Sequence, residues 1–284
     1  MNLFKLSFSF DLFYQKYNEF YPNKPLPDRS FLEWMIGFTE GDGLFTVTSR
    51  GDLHFVLTQS TDDVQILNYV KGNLGFGSVI LQSLKQKTHR FIVQDLNNLH
   101  LICLLYNGNF VLPVRTAKFV NFLAYFNEKL IKKSLGGPIL PLYTQVKPTL
   151  NDFWLCGFTD AGGCFSVTLN QDNGKFQIRF ILIQKWLANK VVLDHILMLF
   201  STVASSTVGY VDAHSIENVW ELVIHGVTNC GYLFSYFDLY KLKTKKLKAY
   251  VSWKKLHQSF VNKDHLDASK RGNLLVLAKS LNKV

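Results

Sequence analysis

Two short stretches carry the residues whose types and spacing could do chemistry. Residues 35–45 read MIGFTEGDGLF and residues 155–165 read LCGFTDAGGCF. The first copy offers Glu40 and Asp42, whereas the second has Asp160 but places Gly162 where the first has Asp42. Carboxylates hold hard cations and move protons, so one copy keeps an acid that the other has lost. Other chemistries are not signalled. The four cysteines (Cys103, Cys156, Cys164, Cys230) form no CxxC pair, and the eight histidines show neither HExxH nor HxxxH spacing. A zinc centre and a disulfide framework are therefore not expected, and the thiols read as buried and reduced.

The elements that must position these acids are themselves repeated. Gly37 answers Gly157 at a step of 120 residues, Gln59 in FVLTQ answers Gln184 in FILIQ at 125, and Arg115 in VRTAKFVNF answers Lys243 in LKTKKLKAY at 128. Three matches in one order imply duplication, with a drift that small loop insertions such as NQDNG at 170–174 explain. Each copy opens with a helix: Asp28 or Ser30 caps the first, Asn151 or Asp152 the second, and both end in glycine. Alternating strands follow, turning at Gly51-Asp52 and at Asn173-Gly174. The expected unit is α-β-β-α-β-β-α, made twice. Its boundaries are an N-terminal extension at 1–27, repeats at 28–133 and 149–284, and a Gly- and Pro-containing linker at 134–148.

Strand alternation places Thr46, Thr48 and Arg50 opposite Phe45 and Val47, and Lys175, Gln177 and Arg179 opposite Phe176, Ile178 and Phe180. One face is a core; the other is rich in groups suited to base edges and phosphates, although any solvated antiparallel sheet shows such alternation. The chain has 284 residues, 48% of them hydrophobic, enough for a sizeable core. Its formal net charge is +10, with 15 basic and 11 acidic side chains in 1–148 and 16 and 10 in 149–284. Both halves being basic points to a polyanion that each contacts. No apolar run reaches the roughly 18 residues of a membrane span, so no membrane partner is expected. The aromatic start has too few cationic residues and no cleavage-site pattern for a targeting segment, and reads either as packing against the body of the protein or as an arm.

With GFTEGDG and GFTDAGG about 120 residues apart in a doubled α/β unit, the chain resembles the LAGLIDADG homing endonucleases. YNGNFVLPVRTAKF and LTQ/LIQKW look like the single-chain, double-motif members encoded in mitochondrial introns. The resemblance implies an α+β fold of two pseudo-symmetric halves. Their antiparallel sheets would form a DNA-binding saddle, with the motif helices packed at the centre. Gly37 and Gly41 facing Gly157 and Ala161 suit close helix approach.

The family's metal-binding acid is the eighth motif residue, here Asp42. Glu40 and Asp160 stand at the sixth, a structural position about 200° away around a helix. Gly162 is the position of the missing acid. Metal ligation is thus expected from Asp42, from the Gly41 and Ala161 carbonyls, and from Gly162 through its backbone alone. Mg²⁺ is the expected ion, with Ca²⁺ or Mn²⁺ able to substitute for binding. Gln59 and Gln184 are implied near the reacting centre, and Lys243 and Arg115 as charges on the transferring phosphate.

The implied DNA contacts are Thr46, Thr48, Arg50, His54, Arg90, Ser166, Thr168, Lys175, Gln177, Arg179, Lys245 and Lys246. The implied partner is double-stranded DNA with a long asymmetric site, bound by a monomer in mitochondria, with double-strand cleavage impaired at Gly162. The rival reading is an RNA maturase that helps its own group I intron fold. It would bind RNA on the basic 241–255 stretch, which holds seven lysines and no acid.

Overall fold

In the computed structural model residues 4–5 and 7–281 are described. They divide into two compact units, one ending at Ala161 and one starting at Gly162. In the first, β1 (Phe4–Lys5) precedes α1 (Asp11–Phe20), α2 (Arg29–Asp42), β2 (Gly43–Val47) and β3 (Leu53–Ser60). Then come α3 (Val64–Leu74), β4 (Ser78–Ser83), β5 (Thr88–Val93), α4 (Leu96–Tyr106), α5 (Pro113–Lys132), β6 (Gln145–Val146) and α6 (Trp154–Gly162). The main sheet has the order β2-β3-β5-β4, antiparallel throughout. A two-stranded parallel pair joins β1 to β6.

The N-terminal segment packs on this unit, as its aromatic content implied. Phe8, Phe10, Phe13 and Tyr17 are buried, and the Tyr17 hydroxyl donates to the Leu74 carbonyl at 2.9 Å. The Asn109 amide ties both the N–H and the carbonyl of Ser9.

The second unit runs β7 (Cys164–Leu169), β8 (Phe176–Lys185), α7 (Leu187–Ala204), β9 (Gly209–Ala213) and β10 (Val219–His225). Helices α8 (Val227–Gly231), α9 (Phe234–Leu239), α10 (Lys246–Val261) and α11 (Ala268–Leu281) follow. Its sheet order, β7-β8-β10-β9, repeats that of the first unit. The duplication reaches single side chains. Phe45 pairs with Phe55 across β2–β3 with ring centroids 5.1 Å apart, and Phe165 pairs with Phe180 across β7–β8 at 5.3 Å. Each pair sits under its own helices, Phe119 and Phe122 of α5 in one unit and Tyr250 and Trp253 of α10 in the other.

Two expectations change. Strand β2 ends at Val47, so Thr48 and Arg50 lie in the turn and not on a strand face. The reason is local: Gly51 adopts a left-handed φ of 81°, and the Thr48 hydroxyl accepts the Asp52 N–H at 2.9 Å, closing the turn early. Lys175 likewise precedes β8, which starts at Phe176. Both units also close with more than the single helix expected, α4 and α5 in the first and α8 to α11 in the second, of which α11 has no counterpart in the first. Helix α7 is long and apolar enough to cross a membrane by length and composition. It nevertheless seats Val192, Leu193, Ile196 and Phe200 in the core and carries a Lys190–Asp194 ion pair.

Candidate catalytic centre and nucleic-acid surface

The centre is built on α2 and the part of α6 that belongs to the same unit. Asp28 caps α2, its carboxylate accepting the Ser30 N–H at 2.7 Å, and of the two residues proposed as cap for α6, Asp152 accepts the Trp154 N–H at 3.1 Å. The helices touch backbone to backbone. A Cβ on Gly37 would lie 2.0 Å from the Trp154 carbonyl oxygen, and one on Gly157 would lie 1.9 Å from that of Trp34. A Cβ on Gly41 would lie 2.2 Å from that of Ala161. Small residues at these positions are thus a steric requirement of the contact.

Each helix also donates an indole N–H to the other's sixth-position acid. Trp34 Nε1 donates to Asp160 Oδ2 at 2.8 Å, and Trp154 Nε1 donates to Glu40 Oε2. Each indole stacks on the phenylalanine one turn on, Phe38 or Phe158. The second Glu40 oxygen accepts the Val111 and Leu112 N–H groups at 2.9 and 2.6 Å. Burial raises the Glu40 carboxyl to about 7, against the pull of its three donors. Both sixth-position acids are buried connectors, as expected of that position.

Asp42 is the last residue of α2 and is half-buried. Gln59, on β3, donates its amide to Asp42 Oδ2 at 2.5 Å. Gln59 shares its strand parity with the core residues Phe55 and Leu57, and this parity brings its amide to the helix end. Arg115, on α5, turns its guanidinium to the same place. Nε donates to the Glu40 carbonyl at 2.8 Å, Nη1 to that of Gly43 at 2.8 Å and Nη2 to that of Gly41 at 3.0 Å. These are carbonyls a helix end leaves unsatisfied, and the guanidinium offsets the partial negative charge there. The terminal glycine is required by proximity, since Gly43 has φ −87° and its Cβ would meet Thr39 Cγ2 at 2.3 Å.

At the end of α6, Gly162 is exposed, and nothing described lies within 4 Å of a Cβ built on it. The groups present fit a divalent cation on one side only. Asp42 supplies a carboxylate and Gly41 a carbonyl that Arg115 already uses, while Gly162 supplies no side-chain oxygen. Among the described residues no cluster of three or more acidic, His or Cys side chains could hold an ion. A single carboxylate does suit Mg²⁺, which commonly binds one or two carboxylates together with substrate phosphates.

The sequence-identified partners of the second unit are distributed differently. Gln184 Oε1 accepts from Asn189 Nδ2 at 3.5 Å. Lys243 and Lys245 lie just before α10 and Lys246 opens it. Lys245 and Lys246 line a small cavity with Gly163, Cys164, Phe165 and Leu281.

Each sheet has one face under helices and one open. Register brings Thr46 opposite His54 and Arg90 opposite Thr58 in the first sheet. In the second, Ser166 and His225 flank Arg179, and Thr168 pairs with Gln177. Ser166 is buried despite its strand face. The Nε atoms of Arg90 and Arg179 are buried without a hydrogen-bond partner. The sequence reading missed the indole exchange, His225 beside Arg179, and an acidic cross-strand pair, Asp212 and Glu221, on the open face of β9 and β10. Strand parity with a known register would have found the last two.

Comparison with known proteins places this geometry in context. The family model described as LAGLIDADG endonuclease matches residues 35–128 and 155–257. A probable intron-encoded endonuclease 4 of Neurospora crassa is 34% identical over 263 residues, 91% of this chain, but the match spans only 45% of that relative's length. An intron-encoded RNA maturase bI4 of Saccharomyces cerevisiae is 28% identical over 149 residues, 52% of this chain and 21% of its own. Among solved structures, I-SmaMI bound to an uncleaved DNA target in the presence of calcium ions superposes with a TM-score of 0.68 at 16% identity, covering 88% of this chain and 98% of that one. With two motif copies, two like-ordered sheets and a family match over both halves, the chain belongs to the LAGLIDADG endonuclease family.

Proposed function

We propose that this chain binds an extended, asymmetric duplex DNA site as a monomer, through the open faces of its two sheets, and that its capacity for double-strand cleavage is impaired. The repeats at 28–133 and 149–284 are the duplicated functional units. LAGLIDADG endonucleases depend on divalent metal; Mg²⁺ is the ion we assign, with Asp42 as the residue that would hold it. When bound, such an ion activates water and offsets charge on the cleaved phosphate.

The chain's own residues do the positioning. Gln59 holds the Asp42 carboxylate by its amide, and Arg115 holds the carbonyls from which that carboxylate projects. Lys243 is assigned to charge on the second strand's phosphate. The observation that carries the reading is the contrast between Asp42, braced at one motif end, and Gly162, bare at the other. As in the resemblance to mitochondrial intron-encoded members, we assign the chain to mitochondria.

The test is supercoiled DNA containing the chain's own intron-insertion junction, incubated with Mg²⁺ and the parent, Gly162→Glu or Asp42→Asn. Intact or nicked DNA with the parent and linear DNA with Gly162→Glu support the reading. Linear DNA with the parent, lost in Asp42→Asn, overturns the assignment of Gly162 as the lesion.

A second reading, RNA maturase, is favoured by the relative of that name and by Lys241, Lys248 and Lys255, exposed around α10. Tighter binding to the intron transcript than to the insertion-site duplex would make it the primary function.

A further inference from the structure

The two β-hairpins that open the sheets close alike through their backbones but are supported differently from outside. In the first unit the turn between β2 and β3 closes on itself: Thr48 N–H donates to the Asp52 carbonyl at 2.8 Å and Gly51 N–H to the Thr48 carbonyl at 2.9 Å. The turn between β7 and β8 is one residue longer, running from Asn170 to Lys175. Its backbone closes as the first does, Asn170 N–H donating to the Lys175 carbonyl at 2.7 Å and Gly174 N–H to the Asn170 carbonyl at 3.0 Å, and the Asn170 side chain accepts the Asp172 and Asn173 N–H groups. From outside, the first turn meets Lys129 through a long ion pair with Asp52 at 3.8 Å, whereas the second is held by a set of hydrogen bonds.

The hold comes from the C-terminal segment, which has no counterpart in the first unit. Arg271, in the first turn of α11, donates to four carbonyls. Nη1 reaches Gln171 at 2.7 Å and Asp172 at 3.1 Å on the hairpin tip. Nε reaches His265 at 2.9 Å and Nη2 reaches Leu266 at 3.3 Å on the preceding turn. The His265 carbonyl also presses on the hairpin, since a Cβ on Gly174 would lie 2.5 Å from it. Below the tip, Phe176 stacks on Phe260 at 3.8 Å and meets the His265 ring edge-on at 4.7 Å. Helix α11 then packs against the edge strand β7, burying Leu274, Ala278 and Leu281. Between hairpin and C-terminal segment lies an open groove of about 760 Å³, lined by Thr168, Asn170, Lys175, Gln177 and His265 among others. Such a set of donors and acceptors, with one cation, suits base edges and phosphates.

We propose that residues 264–281 form a brace that sets the β7–β8 hairpin for reading one end of a DNA target, with Arg271 as the positioning residue. This rests on the DNA-binding reading of the sheets. A planar guanidinium can bridge two pairs of carbonyls at once; an ammonium on a flexible stem cannot hold the same fork. Arg271→Lys therefore fails as Arg271→Ala does, although it keeps the charge.

The experiment uses the full chain and its intron-insertion duplex, with each base pair substituted in turn and binding measured for the parent and both variants. Backbone amide exchange over 170–175 is followed in the same proteins without DNA. The expected result is a loss of discrimination of about fivefold or more at base pairs of one end, unchanged discrimination at the other end, and faster exchange confined to the hairpin tip. Discrimination kept within about twofold at every position, or weakened equally at all of them as loss of a phosphate contact would do, overturns the brace. If the parent itself ignores the duplex, the DNA-binding reading fails. The exchange data then decide separately whether Arg271 holds the hairpin, and unchanged exchange at 170–175 refutes it.

Discussion

Trp34 donates its indole N–H to Asp160, 2.8 Å away in space and 126 positions on in sequence, and Trp154 returns the bond to Glu40. The two motif helices thus satisfy one another's buried acids. Replacing Trp34 or Trp154 by Phe keeps most of the ring packing but leaves a buried carboxylate one donor short. Each change is expected to cost about 1–3 kcal/mol in urea unfolding. A cost near zero would mean that the indole bonds contribute nothing net.

The glycine contacts set a sharper limit. Gly37→Ala and Gly157→Ala drive a methyl into backbone carbonyls, which cannot yield as a side-chain tip can. Loss of more than about 3 kcal/mol, or failure to fold, is expected. Gly162→Ala is the internal control, because its Cβ enters open space and should leave the melting temperature nearly unchanged.

Glu40 makes stability depend on pH. Its folded carboxyl titrates near 7 where the free group titrates at 4.5, so between those values the folded chain binds more protons than the unfolded one. Stability therefore falls as pH rises through that window, by at most ~3 kcal/mol, and levels off above it. Urea unfolding from pH 4.5 to 7.5 should show this decline in the parent relative to Glu40→Gln. Equal slopes in the two proteins would mean that burial does not shift the group.

Arg115 is the clamp on the end of α2. Removing it as Arg115→Ala leaves three carbonyls without their donor and is expected to cost about 2–4 kcal/mol, of which Arg115→Lys recovers less than half. If Arg115→Lys instead keeps full stability while DNA nicking is lost, the side chain acts on the phosphate and not on the helix.

Gln59 is tested by Gln59→Leu, which keeps its bulk and removes its amide. DNA affinity should stay within about threefold while nicking falls by about 100-fold, the scale on which a misplaced group is felt. A uniform loss of affinity and nicking would mark it as a structural residue alone.

Much of this architecture was legible in the sequence because it was written twice. Matching helix ends, turns and Gln59–Gln184 spacing gave the order of elements, and the small residues Gly37, Gly41, Gly157 and Ala161 announced a close helix contact. Side-chain hydrogen bonds between distant positions were not legible. Nothing local marks Trp34 as a donor to Asp160, and the 115/243 repeat step could not show that Arg115 turns onto carbonyls. Strand ends were misplaced at Thr48 because a threonine closing its own turn looks, by alternation, like one more strand residue.

The compact first unit runs to Ala161, so it takes nearly all of the second motif helix. A chain emerging from the ribosome in order would therefore present the Gly37 ridge with no partner until residues 154–161 had followed. The first repeat is in this sense an unfinished protein for as long as its successor is being made. A gene split at the linker would separate the two surfaces that have no room for anything but each other. Extending the first fragment from residue 133 to 161 should convert an aggregating half into one that unfolds cooperatively, which places the natural seam of the molecule inside its second motif.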